Sequence, residues 1–314
     1  MNLSSHKNNM NNSNTHIHCP DCASKNTFFI GNISDDGNFA GTPLSESLKM
    51  GSLYRCTNCN LKFKYPVADT ETYNSLYDNN FTETWDSPTL RYDQQKVLEN
   101  LPKLTEEKIL DYGCYSGGLL EHIQSNYKYG IEVNSSAAKR ATEVSGATVY
   151  RDVESMPTWL IFDRVIAMDV IEHMVSPRKF LEKLLSVTND NGSIYITTWD
   201  ADNFLWGIHK ENWWYSSFNK HIAFVSRKWF DYFAPVLGYE MMEISKYRYE
   251  KRTILNIIRY ILRLCIRIFS FGQDRGVEKI LYRFFWIIYK SNYMWMTMSK
   301  DHLFIHLKKL SPKS

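Results

Sequence analysis

Short apolar runs alternate with amphipathic stretches along most of the chain after Lys108. The first run, ending at Ile109 and Leu110, is followed by a glycine-rich turn and by helical spacing at Leu119–Ile123. The same pattern predicts later strands at Tyr129–Glu132, Ala147–Arg151, Phe162–Met168, Ser193–Thr198, Tyr239–Tyr249 and His302–Leu307. Strands that alternate with helices are typical of an α/β fold with a mostly parallel sheet. The sequence therefore predicts a doubly wound, seven-stranded α/β domain.

The intervening segments carry signals that begin and end helices. Helices are predicted at Arg91–Leu101, Ser135–Ser145, Ser176–Leu185 and Arg227–Leu237. A serine is expected to cap the second, Ser176 precedes a proline in the third, and Gly238 ends the fourth. An earlier helix is predicted around Tyr73 and Tyr77, which lie four residues apart and therefore on one face.

A second kind of pattern fills residues 254–298, where the seven-stranded fold needs only a turn. Arg259, Arg263 and Arg267 form a cationic stripe on an otherwise apolar predicted helix. The whole chain of 314 residues has a net charge of +3, but residues 247–314 carry 14 basic and 4 acidic side chains, a net +10. No stretch of about 20 uninterrupted apolar residues is present, which argues against a membrane span. The segment is predicted to be a helical insertion that binds a membrane surface, packs as a hairpin on the domain, or forms a dimer contact.

The amino-terminal region predicts a small metal-binding module. Residues 1–15 are polar and Asn-rich, without the pattern of a signal peptide, and are expected to be a disordered tail. Within residues 16–68, two C-x-x-C pairs supply four thiols, at Cys19, Cys22, Cys56 and Cys59. Two such pairs are typical of a closed, structural zinc site, and disulfides are disfavoured without a secretory signal. Residues 16–68 are therefore predicted to be a zinc ribbon, residues 69–314 the α/β domain with its insertion, and the protein cytoplasmic.

The candidate chemistry lies where the predicted strands end. Asp111 begins a turn with Gly113 and Gly117, and an acidic residue also ends each of the next three strands, at Glu132, Asp152 and Asp169. Open α/β sheets bind ligands at the carboxyl ends of their strands, and glycines allow a ligand to approach the backbone closely. The pattern predicts a nucleotide-type site.

With its D-x-G-C-x-x-G turn and the segment Phe162-Asp163-Arg164-Val165-Ile166-Ala167-Met168-Asp169-Val170-Ile171-Glu172-His173, the chain resembles the class I S-adenosylmethionine-dependent methyltransferases. It is most similar to the branch that contains quinone-biosynthesis and sugar methyltransferases. The resemblance implies a Rossmann-like sheet whose last strand is antiparallel, with S-adenosylmethionine as cofactor. It also implies these cofactor-binding residues: Asp111, Gly113 and Gly117 for the methionine part, Glu132 for the ribose, Asp152 for the adenine, Met168 and Asp169 for the floor, and Tyr77 as a cover.

Two histidines are candidates for removing a proton from the methyl acceptor. His221 follows an aromatic-rich segment and is the preferred base, and His173 follows the fourth strand. His173 alternatively binds backbone at a helix start. The aromatic segment either offers flat faces to a sugar ring or packs on itself; it comprises Trp199, Phe204, Trp206, Trp213, Trp214, Tyr215 and Phe218.

These features predict a methyltransferase for a hydroxyl group of a sugar or lipid-linked glycan, with peripheral contact to the inner membrane face as a further expectation. A quinone-like lipid is an alternative acceptor. A cofactor-fold binding module without chemistry is an alternative from another functional class. Nucleic acid is disfavoured as a partner because the basic residues lie on apolar predicted helices rather than on a polar face.

Overall fold

The computed structural model describes residues 17–33, 37–39, 42–44, 51–79, 90–101, 105–212, 214–248, 254 and 300–311. The predicted tail at residues 1–15 lies outside this part of the chain. Of the predicted insertion at 254–298, with its arginine stripe, only residue 254 lies inside it.

Thirteen strands and seven α-helices follow one another in the described residues. The strands are β1 Thr27–Asn32, β2 Asn38–Phe39, β3 Thr42–Pro43, β4 Ser52–Cys56, β5 Lys62–Tyr65, β6 Lys108–Tyr112, β7 Tyr127–Ile131, β8 Thr148–Tyr150, β9 Phe162–Met168, β10 Thr188–Trp199, β11 Ala223–Phe224, β12 Tyr239–Tyr247 and β13 His302–Lys309. The α-helices are α1 Thr70–Asn79, α2 Tyr92–Asn100, α3 Ser135–Ser145, α4 Pro177–Ser186, α5 Phe204–His209, α6 Trp214–Ser217 and α7 Arg227–Leu237.

Seven strands form one sheet in the order β12-β13-β10-β9-β6-β7-β8. The pairs from β10 through β8 are parallel, whereas β13 is antiparallel to both β10 and β12. The seven-stranded, mostly parallel sheet is therefore confirmed, with the antiparallel strand in the expected place. Because β13 runs backwards, its first residues lie at the same sheet edge as the carboxyl ends of β9 and β10.

The helices that pack on this sheet begin and end for local reasons. In α4, the Ser176 side chain accepts a hydrogen bond from the Lys179 backbone, and the apolar side of the helix is buried. Gly238 ends α7 in the left-handed conformation at φ 71°. The cap of α3 is Asn134, one residue before the predicted serine, and its side chain accepts from Ala137 N.

The helix predicted at Leu119–Ile123 is wrong: only a 3₁₀ turn forms, at Leu120–His122. The chain after this turn is fastened to the start of β6. Ser125 Oγ donates to Glu107 O at 2.5 Å, and Asn126 N donates to Thr105 O at 2.8 Å. These bonds direct the chain into β7 before a second helical turn can form.

The amino-terminal ribbon and the α/β domain share a sheet. Strands β1, β4, β5 and β11 form a four-stranded sheet in that order, and β11 lies between α6 and α7 of the α/β domain. Ala223 pairs with Phe63, and Lys64 N donates to Ile222 O at 2.9 Å. Asp21 of the ribbon accepts from Ser176 Oγ and from Trp229 Nε1, both at 2.8 Å. The ribbon is thus joined to the domain by backbone and side-chain bonds.

Candidate active site

The glycine-rich turn after β6 has a backbone that only glycine adopts without strain. Gly113 has φ +77° and Gly117 has φ +84°. A Cβ at Gly117 would lie 2.8 Å from the Cα of Ala141 in α3, and a Cβ at Gly113 would lie 2.8 Å from a methyl of Val170. The turn therefore packs against α3 and against the segment after β9 so closely that there is no room for a Cβ at either glycine.

Glu132, at the end of β7, lies against this turn. Its Oε2 accepts from the backbone N of Tyr115 at 3.0 Å, and its Oε1 accepts from the backbone N of Asn134 at 2.8 Å. Burial raises the pKa of Glu132, and these backbone N–H groups act in the opposite direction. Each carboxylate oxygen has a second lone pair, so the side chain can also accept bonds from two hydroxyl groups. This pair of acceptor oxygens fits the two hydroxyl groups of a ribose.

Asp111 is buried at the end of β6, with 4% of its surface exposed. Burial raises its pKa to about 7, while the charge of Arg91 acts to lower it. An acid of this kind fits a cationic group such as the ammonium of a methionine moiety, which would favour the ionised form.

Asp169 follows Met168 at the end of β9, in the left-handed conformation with φ 51°. Its backbone N donates to Thr197 O at 2.9 Å, which holds the ends of β9 and β10 together. Its Oδ2 lies 3.5 Å from Arg91 Nη2, and the same nitrogen lies 2.7 Å from Asp93. Asp169 and Arg91 thus form part of the edge of the site.

Asp152 lies at the far end of the same edge, after β8. Its Oδ1 accepts from the backbone N of Ser155 at 2.7 Å, and Asp152 N lies 3.3 Å from Ser155 Oγ. These bonds fix a turn beyond the strand and leave the carboxylate with further lone pairs for an adenine amine.

Tyr77 near the end of α1 connects this edge with the two candidate histidines. Its hydroxyl lies 2.9 Å from Nδ1 of His173. Its carbonyl accepts from the Asn134 side chain at 3.1 Å, two residues from Glu132. Burial raises the pKa of Tyr77 well above its usual value, and nearby carboxylates, first among them Glu172, add to this effect.

His173 and His221, predicted 48 positions apart in the sequence as separate candidates, come together in the structure. Their ring centroids are 4.9 Å apart. His173 Nδ1 lies 2.8 Å from the carbonyl of Lys220, and His221 Nδ1 lies 3.0 Å from the carbonyl of Tyr215. Burial lowers the pKa of His173 to about 3 and that of His221 well below its usual value, so both rings are neutral.

Glu172 completes this cluster and was missed by the sequence prediction. It is 1% exposed, and it accepts hydrogen bonds from the Tyr215 hydroxyl and, at 3.0 Å, from Thr198 Oγ1. One potential ligand atom from each of Glu172, His173 and His221 lies within 4.8 Å of the others. The position of Glu172 directly before the candidate base His173 was a sequence signal that could have identified it. Arg91, predicted only as the start of a helix, carried no comparable signal.

Three rings of the aromatic segment pack on each other and on the ribbon. Trp199, Trp206 and Tyr215 are each at most 5% exposed and share a core with Leu53 of the ribbon. Trp199 stacks on Tyr215 with ring centroids 4.5 Å apart. For these three rings, the interpretation that the segment packs on itself is confirmed, and the interpretation that they face a sugar ring is not. Phe204 is 77% exposed, and residue 213 lies outside the described chain.

The four ribbon cysteines converge. Cys19 Sγ lies 3.6 Å from Cys59 Sγ, and Cys22 Sγ lies 3.5 Å from Cys56 Sγ. These separations are too long for disulfides and are close to the roughly 3.8 Å expected between sulfurs at about 2.3 Å from a tetrahedral zinc ion. Burial raises the pKa of Cys22 to about 12, so a cation is needed to hold it as a thiolate. The donor set fits zinc.

Among the described residues, no helix is long and apolar enough to cross a membrane.

Comparison with known proteins gives the family. A family model described as a methyltransferase domain matches residues 85–241, half of the chain. A curated relative, (S)-tetrahydroprotoberberine N-methyltransferase from Eschscholzia californica, is 26% identical over 126 residues, which span 36% of this chain and only 36% of that protein.

Solved structures with a similar fold include two bacterial proteins. One is an S-adenosylmethionine-dependent methyltransferase from Thermotoga maritima, described as a possible histamine N-methyltransferase (21% identity, 48% of this chain and 70% of that one, TM-score 0.39). The other is the N-methyltransferase NodS from Bradyrhizobium japonicum WM9 with S-adenosyl-l-homocysteine (14% identity, 78% of this chain and all of that one, TM-score 0.47).

The family model covers the segment that carries the glycine-rich turn, Glu132, Asp169 and both histidines, so the chain belongs to the methyltransferase domain family.

Proposed function

We propose that this protein is an S-adenosylmethionine-dependent methyltransferase. Its acceptor is a hydroxyl group of a sugar or lipid-linked glycan that lies over the cluster of Glu172, His173 and His221. The observation that carries the proposal is the convergence of these three side chains at the carboxyl edge of the sheet. A hydroxyl must lose its proton to become a good nucleophile, whereas the bound sulfonium of the cofactor is already an electrophile. The protein's main task is then to align the two groups and to remove the proton.

The cofactor residues of the proposal are those at the strand ends. Asp111, Gly113 and Gly117 hold the methionine part, Glu132 the ribose and Asp152 the adenine amine. Met168 and Asp169 form the floor, and Tyr77 covers the site. The bonds around Glu132 and the left-handed turn support this assignment. His221 is the proposed base, because a neutral ring whose Nδ1 donates to a carbonyl has its lone pair on Nε2. The Lys220 carbonyl lies 2.8 Å from His173 Nδ1.

Zinc in the ribbon is proposed as structural. Four thiolates fill a tetrahedral site and leave no position for a substrate. The ion would fix β1, β4 and β5, and through the pairing of β5 with β11 it would fix the strand that follows His221.

An amine is the second candidate acceptor. Among the residues that the structure describes, carboxylates outnumber cations at this edge. The carboxylates are Asp93, Asp169, Glu172, Asp200 and Asp301, with Arg91, His302 and Lys246 beside them. Such surroundings favour a cationic substrate. The curated relative is also called an N-methyltransferase.

Methyl-labelled cofactor separates these candidates. The purified protein would be incubated with a nucleotide sugar, a lipid-linked glycan fraction, a catechol and a primary amine, and the products analysed by mass spectrometry. We expect a methyl ether on the sugar or glycan, and less than a tenth of the rate with Glu172→Gln. Transfer only to the amine would establish the second candidate. Cofactor binding without transfer to any of these acceptors would contradict both and indicate a binding module.

A further inference from the structure

We propose that Glu172, His173 and His221 form a binding site for a divalent transition-metal cation at the acceptor end of the active site. The existence of the site is inferred from the positions of these three side chains. The role given to the cation rests on the proposed function.

The first argument is the ligand set itself. One carboxylate and two imidazoles come from the segment after β9 and from the segment before β11, and their ligand atoms lie within 4.8 Å of one another. A cation at about 2.0–2.2 Å from three ligands needs them roughly 3–4 Å apart, so small side-chain shifts suffice. Two histidines and one carboxylate suit zinc, manganese or iron(II), and they leave coordination positions open.

The second argument is the hydrogen bond on the other side of each ring. A carbonyl oxygen only accepts, so His221 Nδ1 must donate to Tyr215 O. His221 therefore has its unprotonated nitrogen at Nε2, on the side away from the carbonyl. Nδ1 of His173 lies 2.8 Å from Lys220 O and 2.9 Å from the Tyr77 hydroxyl, and its ring also bonds the Asp169 backbone. Metal-binding histidines are held in this way by a backbone carbonyl or a carboxylate, which fixes both tautomer and orientation.

The third argument is the support of Glu172. The hydroxyl groups of Tyr215 and Thr198 each donate to one of its oxygens, which fixes the carboxylate while leaving further lone pairs. The Glu172 carbonyl also accepts from Ile222 N at 2.8 Å. The segments that carry Glu172 and His221 are thus joined by the backbone as well as by side chains, and the three groups are positioned before any cation arrives.

The location gives the cation a role in methyl transfer. Tyr77, which contacts His173, also lies near Glu132 at the proposed ribose site, so the cluster is adjacent to the cofactor. An acceptor hydroxyl bound at an open position would have a lowered pKa and would release its proton to solvent. Its oxygen would then form a bond to the methyl carbon while the carbon–sulfur bond breaks, and the electron pair would remain on sulfur. In this arrangement His221 is a ligand instead of a free base.

Manganese provides a test that does not depend on activity. The full-length protein, with zinc retained in the ribbon, would be titrated with Mn²⁺, and free Mn²⁺ would be measured by electron paramagnetic resonance. Manganese is a suitable probe because thiolates favour softer cations. We expect one Mn²⁺ per chain and at least tenfold weaker binding in Glu172→Gln, His173→Asn and His221→Asn. Asparagine retains an N–H near the Nδ1 position and so can preserve the bond to the carbonyl. His122→Asn, a change at an exposed histidine, should bind like the wild type.

Two outcomes would overturn the site: no Mn²⁺ binding by the wild type, or equal binding by all variants and the wild type. S-adenosylhomocysteine affinity, measured by calorimetry on each variant, shows whether the fold is retained. A variant that binds the cofactor product normally but not Mn²⁺ supports the site even if no acceptor is found. If Mn²⁺ binds but methylation of a hydroxyl acceptor proceeds unchanged in the presence of a chelator that spares the ribbon zinc, the site stands and its role in the proposed function is wrong.

Discussion

The Tyr77 hydroxyl lies 2.9 Å from Nδ1 of His173 and so connects the helix before the α/β domain with the segment after β9. The carbonyl of the same residue accepts from the cap of α3. A single tyrosine thereby contacts both the proposed cofactor side and the proposed acceptor side.

We expect Tyr77→Phe to lower kcat about five- to tenfold, because one hydrogen bond of roughly 1 kcal/mol that positions His173 is lost. The affinity for S-adenosylhomocysteine should change less than twofold, since the bond from Asn134 uses the Tyr77 backbone. Steady-state kinetics and calorimetry check the two values. An unchanged kcat would remove the hydroxyl from catalysis.

Glu132→Ala should weaken S-adenosylhomocysteine binding by about 1–3 kcal/mol, because both ribose hydroxyls and two backbone N–H groups lose an acceptor. Calorimetry measures the change. Glu143→Gln is the control, since Glu143 is exposed and pairs with the exposed Lys139 at 3.9 Å, away from the turn. Equal affinities for the wild type and Glu132→Ala would exclude Glu132 from the site.

Gly117→Ala and Gly146→Ala form a matched pair of substitutions at positive φ. Both positions require the left-handed conformation, which costs a non-glycine residue about 1–2 kcal/mol. Only at Gly117 would the new Cβ also meet backbone, at 2.8 Å from Ala141 Cα, whereas nothing lies within 4 Å at Gly146. We expect Gly146→Ala to lower only the free energy of unfolding, and Gly117→Ala to abolish cofactor binding too. Similar cofactor affinities in both variants would contradict the role of the turn.

Asp111 should make the free energy of unfolding depend on pH. Its pKa is about 7 in the folded protein against 3.8 ordinarily, so the folded state holds its proton more tightly. Stability should therefore fall as pH rises from about 4 to about 7, by at most roughly 4 kcal/mol from this group. Urea unfolding at several pH values should show this slope in the wild type and a flatter one in Asp111→Asn. Parallel slopes would show that Asp111 ionises normally.

Removal of the ribbon metal should affect methyl transfer as well as the ribbon. Purified protein should contain one zinc per chain; Cys56→Ser should lose it, while Cys114→Ser, at a buried thiol outside the ribbon, should keep it. Because β5 pairs with β11 just after His221, we expect Cys56→Ser to lower turnover at least tenfold. Elemental analysis and kinetics provide the measurements. Zinc-free wild-type protein would refute the assignment.

The sequence predicted the sheet well because its signals are local. Apolar runs that end in an acid identify strands and their carboxyl ends, and parallel strands bring those ends together. For the same reason Asp111, Glu132 and Asp169 could be placed at one edge without a structure.

The remaining parts depend on contacts between distant residues. No residue next to Glu172 in the sequence indicates that Tyr215 and Thr198 donate hydrogen bonds to it, or that His221 lies beside it. The aromatic segment shows the same limit, since apolar composition cannot distinguish rings that face a ligand from rings that pack on the ribbon. The branch of the family and the acceptor likewise depend on residues whose role the sequence alone does not reveal.

The strand shared by the two parts limits how this enzyme can be divided or recombined. Cutting after residue 68 would leave the β11 backbone as an open edge, a surface that invites pairing with another chain. A ribbon exchanged from a relative would have to match the pairing of Ala223 with Phe63 as well as bind its metal. We therefore expect the ribbon and the methyltransferase domain to evolve together. A substitution in β5 should be accompanied by a compensating substitution in β11, and the reverse.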